Sequence, residues 1–284
     1  MSELDEYLEM LYQVSGKSEK EKEEGLRIQE KGTAMILKLC RDVMNLEQLI
    51  QNSTVMGAIT RVLQEEYKKS VELTFNILRI FLAFSNFQEM HTLMANYKIG
   101  VLTMKSIEFE IKRIELREQE RLDRENEIQQ ELARLKEEKS KEDFPKYIEK
   151  YNRIREKEAV KNKAFVKKQD KVFFIGFYIL LNLAEDVTTE RKMIKKGLLQ
   201  MLIAMLSHNS EELLELVLRF LKKLSIYEEN KDALKDLNIV EQLGKFLSCS
   251  SETLIKMVLR LLFNLSFDKV SHCPLPDRSR IELI

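Results

Sequence analysis

Two kinds of side chain in this sequence could do chemistry. The first is the histidine and cysteine set: His91, His208 and His272, with Cys40, Cys249 and Cys273. Only "SHCP", residues 271–274, brings one of each together. A nucleophile and its base need a scaffold that holds both side chains, and chain adjacency does not supply one. No CxxC pair gives a zinc spacing. The phosphate-loop, dinucleotide, zinc-hydrolase and serine-hydrolase signatures are all missing. Acidic pairs such as Glu185–Asp186 fall at helix ends. The residues therefore point to no catalytic group, no metal and no cofactor.

The second kind is suited to binding. Arg79, Tyr178, Asn182, Arg219, Lys223, Arg260 and Asn264 can form one stripe. An amide on such a stripe can bond both the N–H and the C=O of an extended peptide. Arginines beside it favour acidic groups. Lys223 interrupts the amides, and so does Ala83 at the matching place. Uniform reading of a long peptide backbone is not expected. The alternative is an asparagine that caps a neighbouring turn. The stripe exists only if the chain carries these residues on equivalent elements.

A repeat supplies those elements. "LLNLAED" (180–186), "LKKLSIY" (221–227) and "LFNLSFD" (262–268) align, and Leu183, Leu224 and Leu265 fall 41 residues apart. "GLLQMLIAML" and "NIVEQLGKFL" match between them. Each is followed by a polar break rich in N-cap residues, then by a long apolar helix. The unit reads as short helix, helix, turn, long helix. "MILKLCRDVMNLEQLI" (35–50), "VMGAITRVL" (55–63) and "SVELTFNILRIFLAFS" (70–85) are an earlier, less regular copy.

Units of this length with two or three helices are the signature of armadillo and HEAT arrays. Stacking buries the face that no unit can bury alone, and it leaves a groove lined by the last helix of each unit. Composition agrees. Only 8 Gly and 3 Pro occur in 284 residues, too few turn formers for a β protein. The expected class is all-α, an armadillo-type right-handed α-superhelix. No apolar run reaches membrane-spanning length. Basic and acidic residues balance at 47 each, unlike a general nucleic-acid binder. A cytoplasmic protein that binds neither nucleic acid nor membrane is expected.

One period is interrupted by a charged segment, residues 108–171. Its first part, 108–143, carries 9 basic and 13 acidic residues, and its second, 144–171, carries 10 and 4. "KSKEDFP" (139–145) offers the break between them, since Pro suits a first helical turn. A helical hairpin is expected, with arms of opposite net charge that pair along their length. Glu120–Arg124, Glu137–Lys141 and Glu149–Arg153 have the favourable i,i+4 order. Ile107, Ile111 and Ile114, then Ile128, Leu132 and Leu135, form an incomplete heptad. The expected organisation is repeats in 1–107, the hairpin in 108–171, repeats of period 41 in 172–268 and a tail in 269–284.

"LDEYLEMLY" (4–12), "NYKIGVLTM" (96–104), "LLNLAED" (180–186), "FLKKLSIYEENK" (220–231) and "LRLLFNLSFD" (259–268) together resemble the kinesin-associated protein family. The resemblance covers most of 1–268, the charged insertion included. It implies a non-motor adaptor that binds the tails of two kinesin-II motor chains and links them to cargo adaptor proteins. The implied setting is microtubule-based transport, intraflagellar transport and the cilium included, with ATP hydrolysis left to the motor chains. The family continues into further repeats where "KVSHCPLPDRSRIELI" (269–284) does not, so a shortened member is expected. Two other readings stay open: a general armadillo peptide-binding scaffold, and a structural cytoskeletal protein that dimerises through the charged segment.

Overall fold

Each polar break in the sequence becomes a helix start. In the computed structural model, which describes residues 3–12, 18–137 and 143–267, Ser18 closes a capping box with Glu21. Asp42, Asn52, Ser70, Asp186 and Ser251 each accept a backbone N–H of the first turn that follows. Such a cap is worth about 1 kcal/mol, and it helps set where these six helices begin.

The chain divides into two compact units, Met1–Lys196 and Gly197–Ile284. The first holds α1 (Glu3–Leu11), α2 (Glu19–Leu39), α3 (Val43–Gln51), α4 (Ser53–Glu66) and α5 (Val71–Ser85). It continues with α6 (His91–Asn96), α7 (Ile99–Glu137), α8 (Asp143–Leu183) and α9 (Val187–Lys195). The second holds α10 (Leu198–Ala204), α11 (Glu211–Leu224), α12 (Glu228–Asp236), α13 (Ile239–Gly244) and α14 (Glu252–Ser266). No strand occurs among the described residues. The class is all-α, of armadillo type, with a short helix, a second helix and a long third helix in each repeat.

Long third helices stack on one another. In the first unit α5 packs against both α2 and α8, and in the second α11 packs against α14. Ile77, Ile80, Phe81 and Phe84 of α5 are fully buried, as are Phe173, Phe177, Ile179 and Leu180 of α8. Each such side chain contributes about 1.5–3 kcal/mol of transfer free energy. α1 covers α2 and α4. Its close approach needs Gly32, where a Cβ would stand 2.9 Å from the Met10 Cβ and 3.1 Å from the Tyr7 carbonyl.

Two turns recur. The first, after a third helix, is closed by a side chain on the next helix. Asn45 donates to the Leu39 carbonyl at 3.2 Å, and Asn230 to the Leu224 carbonyl at 2.9 Å. A His91 ring nitrogen meets the Ser85 carbonyl at 2.8 Å. The second, between first and second helices, turns on a left-handed residue: Lys98 (φ 57°), Gly197 (φ 92°) and Asn238 (φ 52°). Gly197 and Asn238 are one 41-residue period apart, and Lys98 holds the same place before α7.

The charged segment is not a separate body inserted between repeats. The boundaries expected at 107/108 and 171/172 fall inside α7 and α8. The second and third helices of one repeat simply run on to form the hairpin arms. Their helix formers give no reason to stop, because every residue from Glu108 to Glu137 tolerates the α conformation. At the base of the arms a polar cluster replaces the apolar seam. Buried Gln169 donates to buried Glu110 at 2.6 Å, and Arg113 reaches the same carboxylate at 3.2 Å. The Arg113 and Arg117 guanidinium groups lie 4.9 and 3.4 Å from the Phe165 ring centre.

The arms also pair differently from the expectation drawn from net charge. Arg124, on the acidic arm, bonds Glu158, on the basic arm, at 2.8 Å. Its guanidinium meets the Glu120 backbone carbonyl, rather than pairing with the Glu120 carboxylate as the i,i+4 spacing suggests. Several acids of α7 pair along their own helix: Glu108–Lys112, Glu118–Arg121 and Glu125–Arg121 at 2.6–3.0 Å. Glu149–Arg153 forms as expected, at 2.7 Å. The Glu137–Lys141 pair, Leu135 and the 269–284 tail lie outside what the structure describes.

Candidate functional site

The seven stripe residues all lie on third helices, three in one unit and four in the other. In the first unit Arg79 is on α5, and Tyr178 and Asn182 are on the adjacent α8. Arg79 is exposed, with its guanidinium 5.5 Å from the Phe75 ring centre. Tyr178 is half-buried and pairs with Phe174 at 6.1 Å. This unit therefore offers an aromatic surface with a cation on it. Phe75 and Phe174 were missed from sequence. Their signal is spacing: each lies one helical turn before a stripe residue.

In the second unit Arg219 and Lys223 are on α11, and Arg260 and Asn264 are on α14. Arg219 and Arg260 are exposed, while Lys223 and Asn264 are half-buried. The surface carries three cations of the stripe and one amide.

The asparagines have a specific occupation. Asn182 donates its side-chain amide to Ser85 Oγ at 3.0 Å and to Asn86 Oδ1 at 3.2 Å. Asn264 donates to Ser225 Oγ at 3.0 Å and to the Lys222 carbonyl at 3.2 Å. Both serines pass the bond on: Ser85 Oγ donates to the Leu82 carbonyl and Ser225 Oγ to the Lys222 carbonyl. The same latch thus joins successive third helices in both units. Both amide hydrogens are occupied in each case, so neither asparagine has a donor left for a peptide carbonyl. The interruption at Lys223 coincides with a second change in the sequence. Where Ser85 and Ser225 precede an asparagine, the corresponding residue before Lys223 is Ala184. Ser85 and Ser225 were not singled out from sequence, although "AFS" and "KLS" hold them in plain register.

Two titrating groups away from the stripe serve the fold. Asp186 caps α9, and the Thr188 and Thr189 hydroxyls with the Thr189 N–H hold its carboxyl down to about 2. Burial pushes the Cys40 thiol up to about 12. No group of three or more metal-ligating side chains occurs among the described residues. His272 and Cys273 lie outside them. No described helix is long and apolar enough to cross a membrane.

Repeat geometry, the grown-out hairpin and the stacked third helices are consistent with one sequence family. The sequence profile of kinesin-associated protein matches residues 1–272. The chain belongs to the kinesin-associated protein family. Family and fold are both scaffold types. Among solved structures, an engineered protein is similar at 13% identity with a TM-score of 0.50, over 93% of this chain and 99% of that one. A designed armadillo repeat protein is 14% identical with a TM-score of 0.46, over 93% and 100%. Another, solved with the peptide (KR)4, is 14% identical with a TM-score of 0.45, over 93% and 100%. In this chain the third-helix residues fall into two groups, aromatic with a cation in one unit and mainly cationic in the other.

Proposed function

We propose that this chain is a non-catalytic adaptor subunit of the kinesin-II motor complex. It binds motor-chain tails and links them to cargo adaptor proteins in microtubule-based transport, intraflagellar transport included. It works in the cytoplasm, on the microtubule cytoskeleton and in the cilium. The observation that carries this reading is the family match over 1–272. The third-helix residues are the proposed contacts, Arg79 and Tyr178 in the first unit and Arg219, Lys223 and Arg260 in the second. Asn182 and Asn264 support these contacts through their latches, and their Oδ1 atoms can still accept a bond.

Co-precipitation with the two kinesin-II motor tails tests the proposal. Retention of either tail, reduced by Arg79→Glu or Arg219→Glu, is expected. If neither tail is retained while a longer family member retains both, the adaptor role fails for this chain.

A further inference from the structure

The long helix α8 carries a cationic face that the opposite arm does not neutralise. At 3.6 residues per turn, Lys150, Arg153, Lys157, Lys161, Lys167 and Lys171 fall within a sector of about 120°, spread along about 32 Å of helix. All six are exposed. One acid, Glu149, shares the sector, and it pairs with Arg153. Glu108, Glu118 and Glu125 of α7 are held by cations of their own helix, and the ion pair between the arms, Arg124–Glu158, takes a glutamate from α8 rather than giving one to it. At the base, Lys168 is anchored by Glu72 at 3.3 Å.

Apolar groups are interleaved with these cations. Ile154 is 47% exposed and Val160 72%. A hollow of about 330 Å³ is lined by Glu149, Lys150, Arg153, Ile154 and Lys157. We propose that this face binds an acidic polypeptide segment in which carboxylates alternate with aliphatic side chains. Charge complementarity selects an acidic partner, and the exposed isoleucine and valine select a peptide over a phosphodiester chain. Binding to single-stranded nucleic acid leans on free aromatic rings for stacking, whereas Phe165 is covered by Arg117 at 3.4 Å and Tyr147 and Tyr151 are half-buried. The face belongs to the hairpin, and the inference does not depend on what the third-helix stripe binds.

Fluorescence anisotropy with the full chain and a labelled peptide of alternating glutamate and valine tests it. Binding is expected at about 50 mM salt and its loss at about 300 mM. The triple change Lys150→Gln, Lys157→Gln and Lys161→Gln is expected to weaken it about tenfold. The same change at exposed Lys192, Lys195 and Lys196 is expected to leave it unaltered. Far-ultraviolet circular dichroism shows whether each variant keeps its helices. Absence of binding, or equal loss in both triple variants, overturns the inference. It is also overturned if an RNA oligonucleotide or anionic vesicles bind the same face more tightly than the peptide.

Discussion

Asn182 of α8 donates its amide to the hydroxyl of Ser85 on α5, 97 positions earlier, at 3.0 Å. Asn264 makes the same bond to Ser225 at the same distance. Two third helices are thereby held in one register by a polar bond at their C-terminal ends, beyond what apolar packing alone would fix. A slide of one helix past the other by a single turn would strand a half-buried amide.

The latch should appear as an energetic coupling. Asn182→Ala and Ser85→Ala, alone and combined, are expected to give a coupling of about 0.5–1.5 kcal/mol in urea unfolding. Asn264→Ala with Ser225→Ala should give the same sign. Strict additivity in both cycles would show that the bonds add nothing to packing.

Lys98 holds a left-handed conformation that Gly197 adopts without a Cβ penalty. Lys98→Gly is expected to raise stability by up to about 1 kcal/mol, and Gly197→Ala to lower it by about 1–2 kcal/mol. Asn238→Gly should change little, because asparagine tolerates this region. Thermal melts of the three variants order the effects.

Gln169 is the buried donor to Glu110. Gln169→Leu is expected to cost about 3 kcal/mol, because it leaves a buried carboxylate oxygen without that partner. Glu110→Leu with Gln169→Leu should recover much of the loss, since an apolar seam needs no partner. Denaturant midpoints of the single and double variants check this.

Asp186 sets an acid limb. Its carboxyl titrates near 2 in the folded chain against an ordinary value of 3.8. The unfolded chain therefore binds this proton first as pH falls, and the contribution of the cap is complete above about pH 5 and lost towards pH 2. Asp186→Asn should flatten that limb in a pH series of urea midpoints. An unchanged slope would mean that other carboxylates dominate it.

Cys40 is buried, and its thiol is pushed up to about 12. In a variant with Cys249 and Cys273 replaced by serine, iodoacetamide at pH 8 is expected to label Cys40 only as fast as the chain opens. Labelling at the rate of a free thiol in the folded state would contradict the burial.

Much of the fold was legible because Leu183, Leu224 and Leu265 fall in strict period at or within a residue of the ends of α8, α11 and α14, and the polar breaks place a serine at the N-cap of α11 and α14. The charged segment was legible from composition, but its junctions were not. Ile107 and Glu108 are consecutive residues of one helix, and nothing in helix propensity marks a boundary there. Net charge misled on the arms because pairing is decided locally. Arg121 finds Glu118 and Glu125 on its own helix before any partner across the seam. The stripe was legible as positions, and the role of its amides was not. The same asparagine suits a peptide backbone or a neighbouring serine, and only the approach of α5 to α8 decides between them.

Because α7 and α8 run unbroken from the packed repeat into the hairpin, the arms act as a lever. From Glu110 to its end at Glu137, α7 reaches about 40 Å. A sideways force at the far end meets no hinge along the described helices and is delivered as torque to the fulcrum, where Gln169 grips Glu110 and α8 lies against α5. A load on the far end of α8 would therefore be felt at the Asn182–Ser85 contact, at the opposite end of the same helix.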